Sequence, residues 1–369
     1  MTRQTKILCY VDSIDSTFGG PAVSLGVVSK YFHASKCFDF RLVVNNIGYC
    51  HYSDDMPVYY FDEISKFGRW TPNLVFANGL WSLKSNKIIK YGKRGGKPVL
   101  LHPRGTLMPW SLDQKWLKKK VAWYIYQKSL LNDVDCFLVS SANELEALRN
   151  LGFRQPAAVI ANPMDFGPEL ADAKVSTNSV VYMSRLHPGK GIEDLIHAWS
   201  RCEANGWFLN IYGDGDTTYV AQLKKLCKSL SVDESVIFYG HVIGDAKYNA
   251  MCNADFFVLP SYSENFGLAI LEALQMELPV ITTTMTPWGS ISEADAGRIV
   301  KNDVDDLTFA LQELIRMPEQ QRFAMGKRAK SLAAMYSSDN SLEKYQELFC
   351  WLTKTCAKPS FVDCVYGVD

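Results

Sequence analysis

Two carboxylates with seven residues between them, Glu264 and Glu272, stand in one short stretch of this 369-residue chain. A carboxylate accepts paired hydrogen bonds and can hold the vicinal hydroxyls of a sugar. Near a helix start it can equally be a cap, and on a helix it can be a solvated residue. The amides of Asn265, Phe266 and Gly267, just after Glu264, fall where a helix would begin, and such N–H groups attract an anion. A second pair of charges, Arg185 and Lys190, flanks Pro188-Gly189. A guanidinium fork and an ammonium point charge so placed suit a diphosphate, although basic loop residues are often only solvated. A third candidate is His102-Pro103-Arg104-Gly105, at the end of an apolar run.

These residues need a scaffold, and the pattern supplies one. Phe256-Phe257-Val258-Leu259 is a short apolar run stopped by Pro260 and the polar residues after it, as expected of a buried parallel strand. From Gly267 to Leu274, Leu268, Leu271, Ala273 and Leu274 recur at helical spacing, and Val280-Ile281 begins the next strand after Pro279. This is a βαβ unit of an open α/β sheet, whose ligands bind beyond the carboxyl ends of the strands. The alternation begins at Lys6–Val11, reaches a Gly19-Gly20-Pro21 turn before a helix, and continues through strands at Arg41–Val44, Leu74–Ala77, Lys97–Leu101, Cys136–Val139 and Ala157–Ala161. Glycines at such a turn let backbone approach a phosphate, or simply make the turn tight. Residues 164–178 have no period and read as a hinge. The alternation restarts at Ser179–Met183. The expected domains are 1–165 and 166–337. An amphipathic helix at Leu342–Leu352 lies in a final segment, 338–356, and the residues after Lys354 are expected to be frayed or loosely packed.

Composition narrows the class. Apolar residues are 47% and charged residues 21%, which describes a globular chain. No run of eighteen apolar residues occurs, and the N-terminal stretch reads as a first strand and not as a signal peptide. Ten cysteines show no C-x-x-C pair, so reduced thiols are expected and neither disulfides nor zinc. Asp214-Gly215-Asp216 has the form of a metal pair, or of a plain turn after a strand. Net charge is zero, yet Ile64 to Leu131 holds fourteen Lys or Arg and one acid, Asp113. Within it, residues 113–131 mix Trp116, Val121 and Trp123-Tyr124 with Lys115 and Lys118–Lys120, the pattern of an interfacial helix on anionic lipid. Single-stranded nucleic acid also favours lysines with aromatics, but no RNA-binding motif is present and no nucleic-acid partner is expected.

Glu264-Asn265-Phe266-Gly267-Leu268 through Glu272-Ala273 resembles the E-x7-E element of retaining GT-B glycosyltransferases of family 4. Arg185-Leu186-His187-Pro188-Gly189-Lys190-Gly191 resembles the R-L-x-x-x-K-G segment of the same family, and His102–Trp110 the corresponding loop of its bacterial polysaccharide-type members. The resemblance implies a GT-B fold, with two Rossmann-like doubly wound domains facing across a cleft, the first binding acceptor and the second nucleotide-sugar. Glu264 is then the contact to the donor sugar and Glu272 to the nucleotide ribose. Arg185 and Lys190 hold the diphosphate with the amides up to Leu268, while Gly19 and Gly20 face it. The turn Gly240-His241-Val242 meets the base, and His102 or Arg104 meets the donor sugar. The implied activity is retaining transfer of a hexose-type sugar from a UDP- or GDP-linked donor to a lipid-diphosphate-linked saccharide, in surface polysaccharide or lipopolysaccharide assembly. It needs no metal and no cofactor beyond the nucleotide-sugar substrate, and places the protein in the cytoplasm, peripheral on the inner face of the membrane. A nucleotide-sugar epimerase or hydrolase, or a non-catalytic subunit of the same fold, are the alternatives.

Overall fold

The computed structural model describes residues 4–15, 19–46, 57–114, 116–165 and 176–364. Most of the expected hinge, Lys115 and the last five residues lie outside that set. The chain forms two compact units, one of Met1–Asp165 with Ser338–Asp369 and one of Phe166–Ser337.

The first unit is built on strands β1 (Thr5–Ser13), β2 (Phe38–Asn46), β3 (Val58–Tyr60), β4 (Leu74–Asn78), β5 (Val99–His102), β6 (Cys136–Val139) and β7 (Ala157–Val159). The second unit supplies β8 (Ser179–Met183), β9 (Phe208–Tyr212), β10 (Val236–Gly240), β11 (Phe256–Leu259), β12 (Val280–Thr283) and β13 (Gly297–Val300), and the chain closes with β14 (Val362–Asp363) back in the first unit. The orders are β14-β7-β6-β5-β4-β1-β2-β3 and β10-β9-β8-β11-β12-β13, with parallel pairing throughout except at β14. Each sheet reverses its winding once, between β1 and β4 in the first unit and between β8 and β11 in the second. Such a switch point opens a crevice at the carboxyl ends of its two strands.

Both faces of the first sheet are covered. On one, Leu25, Val28 and Phe32 of the helix Gly20–Ala34 meet Leu342, Tyr345, Leu348 and Phe349 of the helix Ser338–Leu352. The Phe32 and Phe349 rings lie 4.9 Å apart. The last helix therefore belongs to the core of the first unit, because its apolar stripe repeats at helical spacing and finds a sheet face there.

One expectation is corrected and another is refined. The residues after Lys354 are neither frayed nor loosely packed at Val362–Asp363: these pair antiparallel with Ala158 and Ala157, Val362 is buried, and Asp363 meets Arg149 at 2.8 Å. An open sheet edge at β7 offers unpaired backbone groups, and the tail takes them. The expected helix over 113–131 is helical without a break from Trp116 to Asn132, with a π-helical turn at Trp123–Gln127 inside it, and it follows a separate turn of helix at Pro109–Asp113. Its aromatics divide: Trp123 packs inward against Trp81 and Phe153, whereas Trp116, Leu117, Val121, Tyr124 and Ile125 are exposed.

The second unit is anchored at its described start by a buried ion pair that sequence reading did not single out. Arg322 donates to Asp255 at 3.1 Å, with side chains 5% and 0% exposed. Asp255 also accepts from the amides of Thr177 and Ser179, each at 3.1 Å, so its charge is satisfied on several sides.

Candidate functional site

The second unit carries the denser cluster, at the switch point between β8 and β11. The loop after β8 runs from Ser184 to Gly191. It is strapped to the loop after β9, where the Leu186 amide donates to the Asp214 carbonyl at 2.8 Å. A Cβ on Gly213 would lie 1.8 Å from the Ser184 carbonyl oxygen, so the two loops close only around a glycine. Gly191 is constrained twice over, with φ +67° and the Pro260 carbonyl oxygen 2.0 Å from any added Cβ. That contact presses the loop after β8 onto the end of β11.

The result is an ion pair between residues 74 apart in sequence: Lys190 Nζ donates to Glu264 Oε1 at 2.5 Å, with side chains 18% and 11% exposed. Ser261 Oγ donates to the same oxygen at 2.9 Å. The loop that carries Glu264 is held from three directions. Thr283 Oγ1 and Asn302 Nδ2 donate to the Ser261 carbonyl, at 2.6 and 3.1 Å. The Tyr262 amide donates to the Gly189 carbonyl at 3.0 Å. Buried Trp288 donates from Nε1 to the Phe266 carbonyl at 2.5 Å, with its ring against Phe266 and Tyr336. Gly267, at φ +83°, then opens the helix Leu268–Gln275, which leaves the first-turn amides beside Glu264.

Glu272 sits on that helix, 5% exposed, paired with Lys247 of the helix Gly244–Cys252. Each of the two carboxylates thus has its own cation. Arg185 is exposed and has no ion pair among the described residues, so its charge is free for an anion. His187, given no role by sequence, caps the turn: its Nδ1 accepts from the Gly189 amide at 3.1 Å. Burial, then the charges of Arg185 and Lys190, hold its pKa below the usual histidine range, which keeps Nδ1 an acceptor. Asp216 caps the helix Thr217–Ser229 by accepting from the amides of Thr218 and Tyr219. Gly240, His241 and Val242 lie at the same sheet edge after β10, and the Gly240 carbonyl accepts from the Gly213 amide at 2.8 Å. The structure brings Lys190 and Glu264 into contact, leads from Glu264 through Asn265–Gly267 into the helix that carries Glu272, and puts Glu272 against Lys247.

The first unit gathers a different set around Arg104. Its guanidinium donates to Ser24 Oγ at 2.7 Å, to Asn78 Oδ1 at 2.9 and 3.2 Å, and to Asn162 Oδ1 at 2.9 Å. It therefore ties the helix that begins at Gly20 to the ends of β4 and β7. Arg104 has φ +58°, a conformation held by these bonds. Gly19, at φ +73°, has open space at its Cβ. His102 is fully buried: Nε2 meets Ser140 Oγ at 2.9 Å and Nδ1 has no partner among the described residues. Burial first, then Arg104, pushes its pKa well below the ordinary value of 6.5, so the ring is neutral. The sequence Ser140–Glu144 carries a helix-capping signal, and the Ser141 hydroxyl accepts from the Glu144 amide. The carboxylate of buried Glu144 does more than that signal conveys: it accepts from the amides of Ser140 and Gly105 at 2.8 and 2.6 Å and so joins the ends of β5 and β6. Sequence reasoning missed Lys247 and Trp288, and neither lies in a motif that marks it.

Residues 171–332 match the family model described as glycosyl transferases group 1. The matched residues lie within the second unit. An uncharacterized glycosyltransferase of Haemophilus influenzae is 24% identical over 192 residues, covering 51% of this chain and 53% of that protein. The lipopolysaccharide core biosynthesis glycosyltransferase LpsE of Rhizobium meliloti is 25% identical over 272 residues, covering 70% of this chain and 78% of its own length. Across the first curated relatives the chain spans about half of their length or less. Anabaena HepE, solved with UDP and glucose, superposes with a TM-score of 0.78 at 19% identity, over 94% of this chain and 100% of that one. The fold is GT-B, and the residues that match the family model lie in the unit of its second sheet. Among the described residues no helix is long and apolar enough to cross a membrane.

Proposed function

We propose that the protein is a retaining glycosyltransferase that moves a hexose-type sugar from a UDP- or GDP-linked donor to a saccharide acceptor, lipid-linked, in surface polysaccharide or lipopolysaccharide assembly. The observation that carries the reading is the Lys190–Glu264 pair just before the helix Leu268–Gln275, with Glu272 on that helix, all within the residues that match the family model. In this reading the donor diphosphate takes the ammonium of Lys190, the free guanidinium of Arg185 and the first-turn amides. The charge that grows on the leaving phosphate is met by donors already in place, and removing one such donor typically costs about 10²–10³ in rate. Glu264, released from Lys190, accepts from hydroxyls of the sugar, and Glu272 from those of the ribose. The leaving phosphate takes the acceptor proton, so the protein supplies no general base. No metal is required, because the cations of the loop after β8 neutralise the diphosphate.

The lipid acceptor is supported by the surface of the first unit. Trp116, Leu117, Val121, Tyr124 and Ile125 are exposed beside Lys118 and Lys120, an apolar-basic face suited to an anionic bilayer at its cytoplasmic side. The test supplies UDP- or GDP-hexose with and without a membrane extract as acceptor. Transfer to a lipid-extractable product that depends on the extract is expected. Release of nucleotide or a new epimer without acceptor would instead make the protein a hydrolase or epimerase.

A further inference from the structure

A groove of about 770 Å³ lies in the first unit, away from the cluster around Arg104. It is lined by Thr71, Lys87, Lys90, Tyr91, Arg94 and Lys97, among others, and no acid lines it. Thr71 leads into β4 and Lys97 into β5, while Arg94 ends the helix Leu83–Arg94. The groove is therefore at the amino-terminal edge of the sheet, opposite the edge that holds Asn78, His102 and Arg104.

Its four cations have no ion pair or side-chain hydrogen bond among the described residues. The same helix shows the contrast. Lys84 donates to Asn45 Oδ1 at 2.5 Å and Lys93 to Asp135 at 3.0 Å, so the two lysines off the groove are partnered and those in it are not. Lys87, Lys90 and Arg94 stand at i, i+3 and i+7, a like-charge stripe that disfavours the bare helix. A concave site of several hundred Å³ is of small-molecule size. Converging ammonium groups, a guanidinium fork and the hydroxyls of Tyr91 and Thr71 are all donors, which is the chemistry that recognises phosphate oxygens.

We propose that this groove binds a phosphate-bearing anion, a phosphomonoester or diphosphate group carried either by a lipid headgroup or by a soluble molecule. Such binding does not depend on the transferase reading.

The experiment uses the full chain with Lys190→Ala, which weakens the diphosphate site proposed for the second unit. Inorganic pyrophosphate is titrated calorimetrically at low ionic strength. In parallel the protein is co-sedimented with phosphatidylcholine vesicles containing phosphatidic acid, and with phosphatidylcholine alone. Lys90→Ala/Arg94→Ala is compared with Lys118→Ala/Lys120→Ala, which removes equal charge outside the groove. All four positions are exposed or half-exposed on helices, and circular dichroism verifies that each variant folds. Binding in at least one arm is expected, weakened ten-fold or more by Lys90→Ala/Arg94→Ala, and the arm that responds names the source of the phosphate. A pyrophosphate response is expected to survive Lys118→Ala/Lys120→Ala. The proposal is overturned if neither probe binds, if the groove variant binds as its parent does, or if both variants weaken pyrophosphate equally.

Discussion

Replacing Lys190 by methionine isolates the worth of the ion pair at the centre of the site. Lys190 Nζ lies 2.5 Å from Glu264 Oε1, and at an effective dielectric of about 20 that separation gives a gross attraction of roughly 6–7 kcal/mol. Desolvation of both groups offsets much of it. Breaking a fully buried pair by removing one partner costs about 3–5 kcal/mol, and an exposed pair about 0–1. With 18% and 11% of the side chains exposed, this pair falls nearer the buried limit, and a loss of about 2–3 kcal/mol is expected. Most of that loss is the stranded carboxylate of Glu264, left with Ser261 Oγ alone at 2.9 Å. Lys190→Met/Glu264→Gln therefore recovers all but about 1 kcal/mol, since a neutral amide needs no cation. Urea unfolding read by hydrogen exchange in β8 and β11 reports on the second unit without assuming that both units melt together. A single variant within about 0.5 kcal/mol of the parent, or a double variant as unstable as the single, would refute the reasoning.

Glycine positions separate the tight loop from the open one. Gly191→Ala meets a carbonyl oxygen at 2.0 Å and a positive φ, and is expected to cost more than about 3 kcal/mol, whereas Gly19→Ala, with nothing within 4 Å, costs about 1–2, both measured by chemical unfolding. Trp288→Phe keeps a ring but strands the Phe266 carbonyl; affinity for the bound nucleotide is expected to fall about ten-fold with a stability loss of about 1–3 kcal/mol, and unchanged titration would remove Trp288 from the positioning of the loop. The neutral state of His102 is a stability term with a sign. Its folded pKa is depressed from 6.5, so the unfolded chain binds the extra proton; stability is full above that value and declines as pH falls below it, by up to about 1.4 kcal/mol per pH unit. His102→Asn is expected to flatten that part of the profile, and an unchanged slope would place the proton elsewhere.

Much of the scaffold was legible because its signals are local. Phe256–Leu259 is too short and too apolar to be other than a buried strand, and Pro260, Gly267 and Pro279 punctuate the residues after it. Lys190 and Glu264 were legible as separate candidates, but not as partners, because only the adjacency of β8 and β11 in the sheet brings residues so distant together. Lys247 was invisible for the same reason, since its charge acquires meaning only against Glu272. The π-helical turn at Trp123–Gln127 and the β14 edge pair have no sequence period; one is a local adjustment that turns Trp123 inward, and the other exists because β7 had a free edge. The burial of His102 could not be read from a strand end, where a side chain can face a crevice or the core behind it.

Nucleotide recognition by the second unit is the central claim. Calorimetric titration of UDP, GDP and ADP into the parent and into Lys190→Met/Glu264→Gln tests it, because that pair of changes is expected to leave the fold intact. One nucleotide class binding to the parent, and at least about a hundred-fold more weakly to the double variant, is the predicted result. Equal binding by both proteins, or no binding of any nucleotide to the parent, would contradict it.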